Sequence, residues 1–197
     1  MLTLRNKDDI IVPFHTLGEP DWEKNTRMLL EAYAEELGVR VPDPLPAQAL
    51  EAVENRLGIS FPESLALFYR TFGIADIGEE LQALENIAPL EEWAEHFEWE
   101  EWANEEERDI ARHLVTFSEY VGNGNAFCFH RETGEVYYFD HDTAPYVTKL
   151  FDRPDEYLKG CLVALQEHFF TTDAAADIVE DKLVEMFGER VVTKWMY

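Results

Sequence analysis

Residues 114–142 carry a pattern of apolar and polar positions that predicts three consecutive β-strands. Alternation along the first strand places Phe117 and Ser118 on opposite faces. Gly134 can take a left-handed conformation in the loop between the second and third strands, which is typical of a hairpin. Residues 136–139 are apolar on both faces, so we expect an antiparallel sheet that helices cover on at least one side. The strands are predicted over residues 114–120, 125–130 and 135–140.

Apolar residues at helical spacing predict helices before and after this meander. Ser60 and Glu63 have the spacing of a capping box at one helix start, and Asp152 is expected to cap another helix. Three short apolar segments could be additional strands. The helices are predicted over residues 21–37, 47–57, 62–72, 152–169 and 174–187, and the short strands over residues 10–14, 81–87 and 191–195.

Three prolines in residues 41–46 predict a stiff, extended connector. We therefore expect an N-terminal helical arm over residues 1–45, followed by an α+β domain over residues 46–170 in which helices pack on the antiparallel sheet. Residues 171–197 are expected to form a C-terminal helical extension of the same domain. The length of 197 residues suits a single hydrophobic core.

The net charge restricts the classes of partner. Aspartate and glutamate total 41 against 16 lysines and arginines, a formal charge of −25, which repels nucleic-acid phosphate and anionic lipid and attracts a basic protein. The same composition is also typical of high solubility or of a salt-adapted proteome. No apolar run suits a signal peptide or a membrane span, so we expect a cytoplasmic protein without a nucleic-acid or membrane partner. Cys128 and Cys161 are expected to be buried, reduced thiols.

Residues 90–109 form the most unusual stretch, with ten acidic residues and one arginine. As one helix it would bury a single stripe that includes Trp93 and Phe97, and Trp99 and Trp102 would lie outside that stripe. Either a bend or a neighbouring helix buries these two tryptophans, or they form an exposed aromatic patch in an acidic field, the composition of a hot spot for a basic protein. The predicted partner-binding residues are Glu91, Glu95, Glu98, Trp99, Glu101, Trp102 and Glu105.

Catalytic chemistry is not predicted. Asp140, His141 and Asp142 could together ligate a divalent ion, as in a metal-dependent hydrolase, but adjacent residues of a strand point to opposite faces. We expect instead a strand end whose side chains cap local backbone groups. The other histidines lack ligand spacing, and neither a phosphate-binding glycine-rich loop nor a nucleophile motif occurs. The prediction is a protein that is not an enzyme and has no cofactor and no metal site.

Two motifs and a closing helix resemble the SUKH superfamily, which contains bacterial immunity proteins and fungal cell-wall synthesis regulators of the Smi/Knr type. The match covers residues 46–170. The first motif reads Glu51-x-x-Glu54-x-x-Leu57-Gly58-x-x-Phe61-Pro62-x-Ser64-x-x-x-Phe68-Tyr69, followed by Phe72-Gly73. The second reads Phe117-Ser118-x-Tyr120-x-Gly122-x-Gly124-Asn125 and continues through residues 134–142, and the closing helix lies within residues 151–165.

The resemblance implies a function in binding. On this interpretation the chain is a bacterial immunity protein that neutralises a polymorphic toxin domain, possibly a basic nuclease, by occluding its active site. A regulatory or scaffold protein of the same superfamily, without a toxin, is the alternative. The acidic charge agrees with the first interpretation, because an acidic inhibitor is steered quickly to a basic cleft.

Overall fold

The computed structural model describes residues 2–120 and 122–197, except for the side chains of Glu100 and Trp102. Five antiparallel strands form one sheet in sequence order. The fold is α+β, and the predicted meander is confirmed as the three central strands of the sheet. The strands are β1 Glu80–Leu81, β2 Leu114–Glu119, β3 Ala126–His130, β4 Val136–Phe139 and β5 Val147–Phe151.

Helices surround the sheet on both faces. The long ones are α1 Trp22–Leu37, α2 Ala47–Leu57, α3 Glu63–Phe72, α7 Pro154–Ala164, α8 Ala175–Phe187 and α9 Glu189–Met196. Three short ones lie between β1 and β2: α4 Leu90–Trp93, α5 Trp99–Trp102 and α6 Glu105–Ala111. Single 3-10 segments occupy Lys7–Asp9 and Leu165–Phe169.

The main core lies on the face of the sheet that carries Phe127 and Phe129. Both side chains are fully buried together with Phe68 of α3 and Leu162 of α7, which confirms that these elements share one core. The N-terminal 45 residues also contribute to the main core, since Phe14, Trp22 and Leu29 are buried in the same cluster. Helix α1 ends at Gly38 in the left-handed conformation, as predicted.

The corner between α2 and α3 is fixed by residues of the first motif. Gly58 takes the left-handed conformation with φ of 63° and ends α2. The Glu54 carboxylate accepts a hydrogen bond from the Phe61 backbone N–H at 2.8 Å, which ties the end of α2 to the start of α3. Tyr69 of α3 is fully buried and its hydroxyl donates to the Phe117 carbonyl of β2 at 3.5 Å. The motif therefore holds the helix pair against the sheet.

A β-bulge changes the predicted orientation of Ser118. Thr116 pairs with Cys128 and Ser118 pairs with Phe127, so Phe117 is the extra residue on β2. Ser118 thus lies on the main-core face, where its hydroxyl shares a 2.7 Å hydrogen bond with the Tyr157 hydroxyl of α7. The prediction of opposite faces for Phe117 and Ser118 is wrong because simple alternation cannot foresee an inserted residue.

Two of the predicted short strands are absent from the structure. Residues 10–14 have no regular secondary structure. The backbone of Ile11 is hydrogen-bonded by the Gln166 side chain, which accepts from the Ile11 N–H at 2.9 Å and donates to the Ile11 carbonyl at 2.7 Å. Residues 191–195 belong to α9 instead of a strand. Of residues 81–87, only Leu81 lies in β1.

Both predicted helix caps are also wrong. Pro62 is the N-cap of α3 and Arg153 is the N-cap of α7, and neither helix start carries a side-chain cap. The Ser60 and Glu63 side chains therefore form no capping box. Asp152 lies one residue before the α7 cap, where its N–H donates to the Glu156 carboxylate at 3.0 Å.

Candidate partner-binding surface

Residues 90–111, here called the acidic layer, cover the second face of the sheet. They form the three short helices α4, α5 and α6 instead of the single helix that the periodicity predicted. Trp99 is 2% exposed, and its ring packs edge-on against Phe139 of β4 with centroids 5.3 Å apart. The second core between the layer and the sheet contains Leu90, Ala94, Trp99, Ala103, Ala111, Leu114, Ala126, Cys128, Phe139 and Val147.

The breaks between the short helices bring the aromatic side chains inward. Trp93 and Phe97 also pack on Phe139, each with ring centroids at 6.2 Å. The Phe97 ring also packs against the His141 ring, with centroids 4.4 Å apart. A straight helix would have turned some of these rings to solvent, so their burial explains why the chain bends here.

Carboxylates form the outer side of the acidic layer. Arg112 pairs with Asp109 at 2.6 Å and lies 3.8 Å from Glu91, and His96 lies 3.4 Å from Glu95. These contacts leave a strongly negative face, since residues 90–109 hold ten acids and one arginine. The exposed carboxylates, here called the acidic surface, are Glu91, Glu92, Glu95, Glu98, Glu101, Glu105, Glu106 and Asp109.

Glu107 has a different role from its acidic neighbours. It is 7% exposed, and its Oε1 accepts from the N–H groups of Tyr146 at 2.6 Å and Val147 at 3.4 Å. Its Oε2 accepts from the Asn104 N–H at 3.0 Å, which completes a capping box at the start of α6. Glu107 therefore fastens the acidic layer to the start of β5.

Replacing Glu107 with alanine is expected to cost about 1–3 kcal/mol of the free energy of unfolding, because buried backbone N–H groups lose a charged acceptor. Glu106→Ala is the matched control, since Glu106 is exposed one residue away, and surface substitutions of that kind change stability by about 0.5 kcal/mol or less. Denaturant titration of both variants measures the difference. Equal stability of the two variants would contradict a fastening role for Glu107.

The contacts of Asp140, His141 and Asp142 are structural, and the Asp142 carboxylate lies 3.2 Å from His141 Nε2. Asp140 Oδ1 accepts from the N–H groups of Asp142 at 3.1 Å and Thr143 at 3.0 Å, and its Oδ2 lies 2.6 Å from Lys194 Nζ. The His141 ring is 2.9 Å from Asn125 Oδ1. The expected capping is confirmed for Asp140. Among the described residues, no group of three or more His, Cys, Asp or Glu side chains is placed to hold a metal ion.

Burial controls the ionisation of the two cysteines. Both are free and buried, as expected, and burial raises the pKa of the Cys128 thiol well above its usual range. Burial is also the main cause that raises the pKa of Cys161, with the nearby Glu79 carboxylate adding to it. Because the thiolate is the reactive form, both cysteines are packed as inert, small apolar side chains.

The structure sorts the predicted partner-binding residues into two groups. Glu91, Glu95, Glu98, Glu101 and Glu105 are all exposed and lie on the acidic layer. Of the two alternatives for Trp99, burial through a bend is confirmed and the exposed aromatic patch is wrong, because its ring is 2% exposed and packs on Phe139. The Trp102 side chain lies outside the described part of the structure. Whether a partner contacts the glutamates stays a prediction.

Sequence reasoning missed Glu107 as a structural carboxylate. Asn104 followed three residues later by Glu107 has the spacing of a capping box, and this signal was available within the acidic run. Its hydrogen bonds to β5 could not be inferred, because Tyr146 lies 39 residues away in the chain.

The five-stranded antiparallel sheet, the α2–α3 corner and the closing α7 together define an α+β protein with the architecture expected from the two motifs. The chain belongs to the SMI1/KNR4 family (SUKH-1), whose model matches residues 44–160. No individually curated protein matches the chain. Within the described residues, no helix combines the length and the apolar character that crossing a bilayer requires.

Proposed function

We propose that this protein is an immunity protein that binds a toxin domain with a basic surface and neutralises it by covering its active site. The observation that carries the proposal is the acidic surface, where exposed carboxylates project from helices anchored by a buried base of Leu90, Trp99 and Ala103. Family membership supports a function of this class.

The buried base makes the acidic surface suitable for binding. Because α4, α5 and α6 are fixed to the sheet by the second core and by Glu107, their backbone is already ordered before a partner arrives. Ordering that has taken place during folding need not be repeated on association, which lowers the free-energy cost of binding. The surface is thus a preorganised array of negative charge.

The charge distribution favours a basic partner. Glu105 and Asp109 lie four residues apart on α6 and are both exposed, an arrangement in which like charges cost a few tenths of a kcal/mol per pair. Lysine and arginine side chains of a partner would relieve this repulsion. With a net charge of −25, the protein would also steer a basic domain toward itself, with association rate constants of up to ~10⁸–10⁹ M⁻¹s⁻¹ at low salt.

Charge reversal of Glu98, Glu101 and Glu105 to lysine is expected to slow association by about tenfold or more and to flatten its dependence on salt, because steering acts mainly on the association rate. The partner to use is the product of the gene next to the one that encodes this chain. Stopped-flow association at several salt concentrations measures the effect, and protection of growth during co-expression with that product reports neutralisation.

The matched control reverses Glu36, Asp173 and Asp181 to lysine, which gives the same net charge from exposed positions outside the acidic layer. If this control slows association as much as the first variant, total charge and not the acidic surface drives the encounter. If the neighbouring gene product is neither toxic nor bound, the regulatory or scaffold alternative replaces the immunity proposal.

A further inference from the structure

The loop that joins β3 to β4 is held by the ring of the histidine that precedes it. His130 is the last residue of β3, and its Nδ1 accepts from the backbone N–H groups of Glu132 and Thr133, each at 3.3 Å. Only the neutral imidazole with its proton on Nε2 can accept at Nδ1. These two hydrogen bonds therefore exist only while His130 is uncharged.

The same loop is bonded to the turn between α6 and β2. The Arg131 N–H donates to the His113 carbonyl at 2.9 Å. The His113 ring stacks on the His130 ring, with centroids 5.3 Å apart and planes inclined by 18°. Positive charge on both rings at this distance is repulsive, so the stack opposes protonation of the second histidine once the first is charged.

Carboxylates face the histidine pair from the neighbouring elements. A depression of about 610 Å³ beside the two rings is lined by three carboxylates of α6. Glu135 at the end of the loop is paired with Lys149 of β5, and this hydrogen bond holds the pKa of Glu135 below its usual range. Tyr137 of β4 lies on the other side of His130, with ring centroids 6.3 Å apart. The α6 carboxylates are those of Glu105, Glu106 and Asp109.

Burial outweighs the carboxylates at His130. This residue is half-buried, and burial is the main cause that lowers the pKa of its imidazole below the usual ~6.5. His113 and Arg131 lower the pKa further, and Glu132 and Glu135 oppose them. Because folding disfavours the charged ring, the closed loop is most stable above the usual pKa. That stability is lost as the pH falls through the lowered pKa.

We propose that His130 is a pH-sensitive switch that keeps the β3–β4 loop closed at neutral pH and opens it in mildly acidic conditions. The proton enters at Nδ1, where it faces two N–H donors, so both hydrogen bonds break and the N–H groups turn to water. The switch lies beside α6, because Arg131 and His113 join the loop to the turn that follows this helix. It acts without a partner and does not depend on the immunity proposal.

An NMR titration of the full chain between about pH 8 and about pH 5 tests the switch, since histidine titrates in this range. The backbone amide signals of Glu132 and Thr133 should move with the same midpoint as the His130 ring, below ~6.5. Their exchange with solvent, relative to that of an unstructured peptide at the same pH, should speed up by about tenfold or more, because both amides lose their acceptor.

His130→Asn separates the charge of the ring from its function as an acceptor. Asparagine places an oxygen where histidine has Nδ1, so it can accept from the same N–H groups, but it does not titrate. In this variant both amide signals should stay fixed over the same range. His15→Asn is the control at an exposed position outside the loop, and it should retain the native transition.

Two results would overturn the switch. One is that the amide signals of Glu132 and Thr133 stay fixed in the native protein while the His130 ring titrates. The other is that His130→Asn shows a transition as large as that of the native protein, which would place the titrating group elsewhere.

Discussion

Replacing Phe129 with alanine is expected to lower the free energy of unfolding by about 3–5 kcal/mol, which is the range for truncating a buried aromatic side chain. Phe129 is fully buried on β3, and its ring lies between Phe61 at 5.7 Å and Phe117 at 6.1 Å. Its removal leaves a cavity between the α2–α3 corner and the sheet. Urea or guanidinium titration measures the loss.

Tyr197→Ala serves as the control for the Phe129 substitution. Tyr197 is 85% exposed, so losing its ring removes little buried surface. A loss below about 1 kcal/mol for Phe129→Ala would mean that the main core is assigned to the wrong face of β3. A loss equal to that of Tyr197→Ala would have the same meaning.

Trp195→Ala is expected to cost a similar amount, about 3–5 kcal/mol, because α9 is held to the body of the protein by this side chain. Trp195 is 2% exposed, packs near Phe151 at 5.7 Å and Tyr157 at 6.0 Å, and donates from Nε1 to the Glu79 carboxylate at 3.0 Å. Its ring fits because Gly160 of α7 has no side chain. A Cβ at that position would lie 2.8 Å from Trp195 Cη2.

The close contact between Gly160 and Trp195 can be tested by comparing the stability change that Gly160→Ala causes in the native protein and in the Trp195→Ala variant. Gly160→Ala should destabilise the native protein by about 1–3 kcal/mol through overpacking. In the Trp195→Ala background the same change should be neutral or stabilising, since the two shortest contacts of the added Cβ, both with the Trp195 ring, are gone and only Phe187 Cε2 remains near it, at 3.3 Å. Alanine also favours a helix over glycine by about 1 kcal/mol. An equal loss in both backgrounds would show that Gly160 is required for a reason other than the Trp195 ring.

The sequence predicted the parts of the fold that local patterns specify. Alternation and turn residues located the central strands, and glycine caps located the ends of α1 and α2, where Gly38 and Gly58 take the left-handed conformation. These signals are local because a turn or a cap satisfies its own backbone groups. The motif around Glu54 and Phe61 also points to a local corner, which the 2.8 Å hydrogen bond between them closes.

The errors fall where distant contacts decide the outcome. Residues 191–195 are rich in β-branched side chains, which predict a strand, but burial of Val192 and Trp195 against the main core selects a helix. The periodicity of the acidic layer predicts one helix, but three aromatic rings pack on Phe139 only because the helix is broken. The propensity of a short segment takes no account of either set of contacts, because the partners lie far away in the sequence.

The acidic surface likewise combines features that the sequence predicts with features that depend on distant contacts. The carboxylates of the acidic surface could be predicted as exposed from composition, whereas the burial of Trp99 depends on Phe139, forty residues further along the chain.

The buried and the exposed positions of the acidic layer are expected to tolerate substitution differently, although they alternate within one short stretch. Substitutions at Leu90 or Trp99 remove contacts from the second core, whereas substitutions at Glu98 or Glu101 change only what the solvent side presents. On the proposed function, outward replacements would change which partner is bound and leave the fold intact. Under that proposal, a new specificity would need no compensating changes elsewhere in the chain.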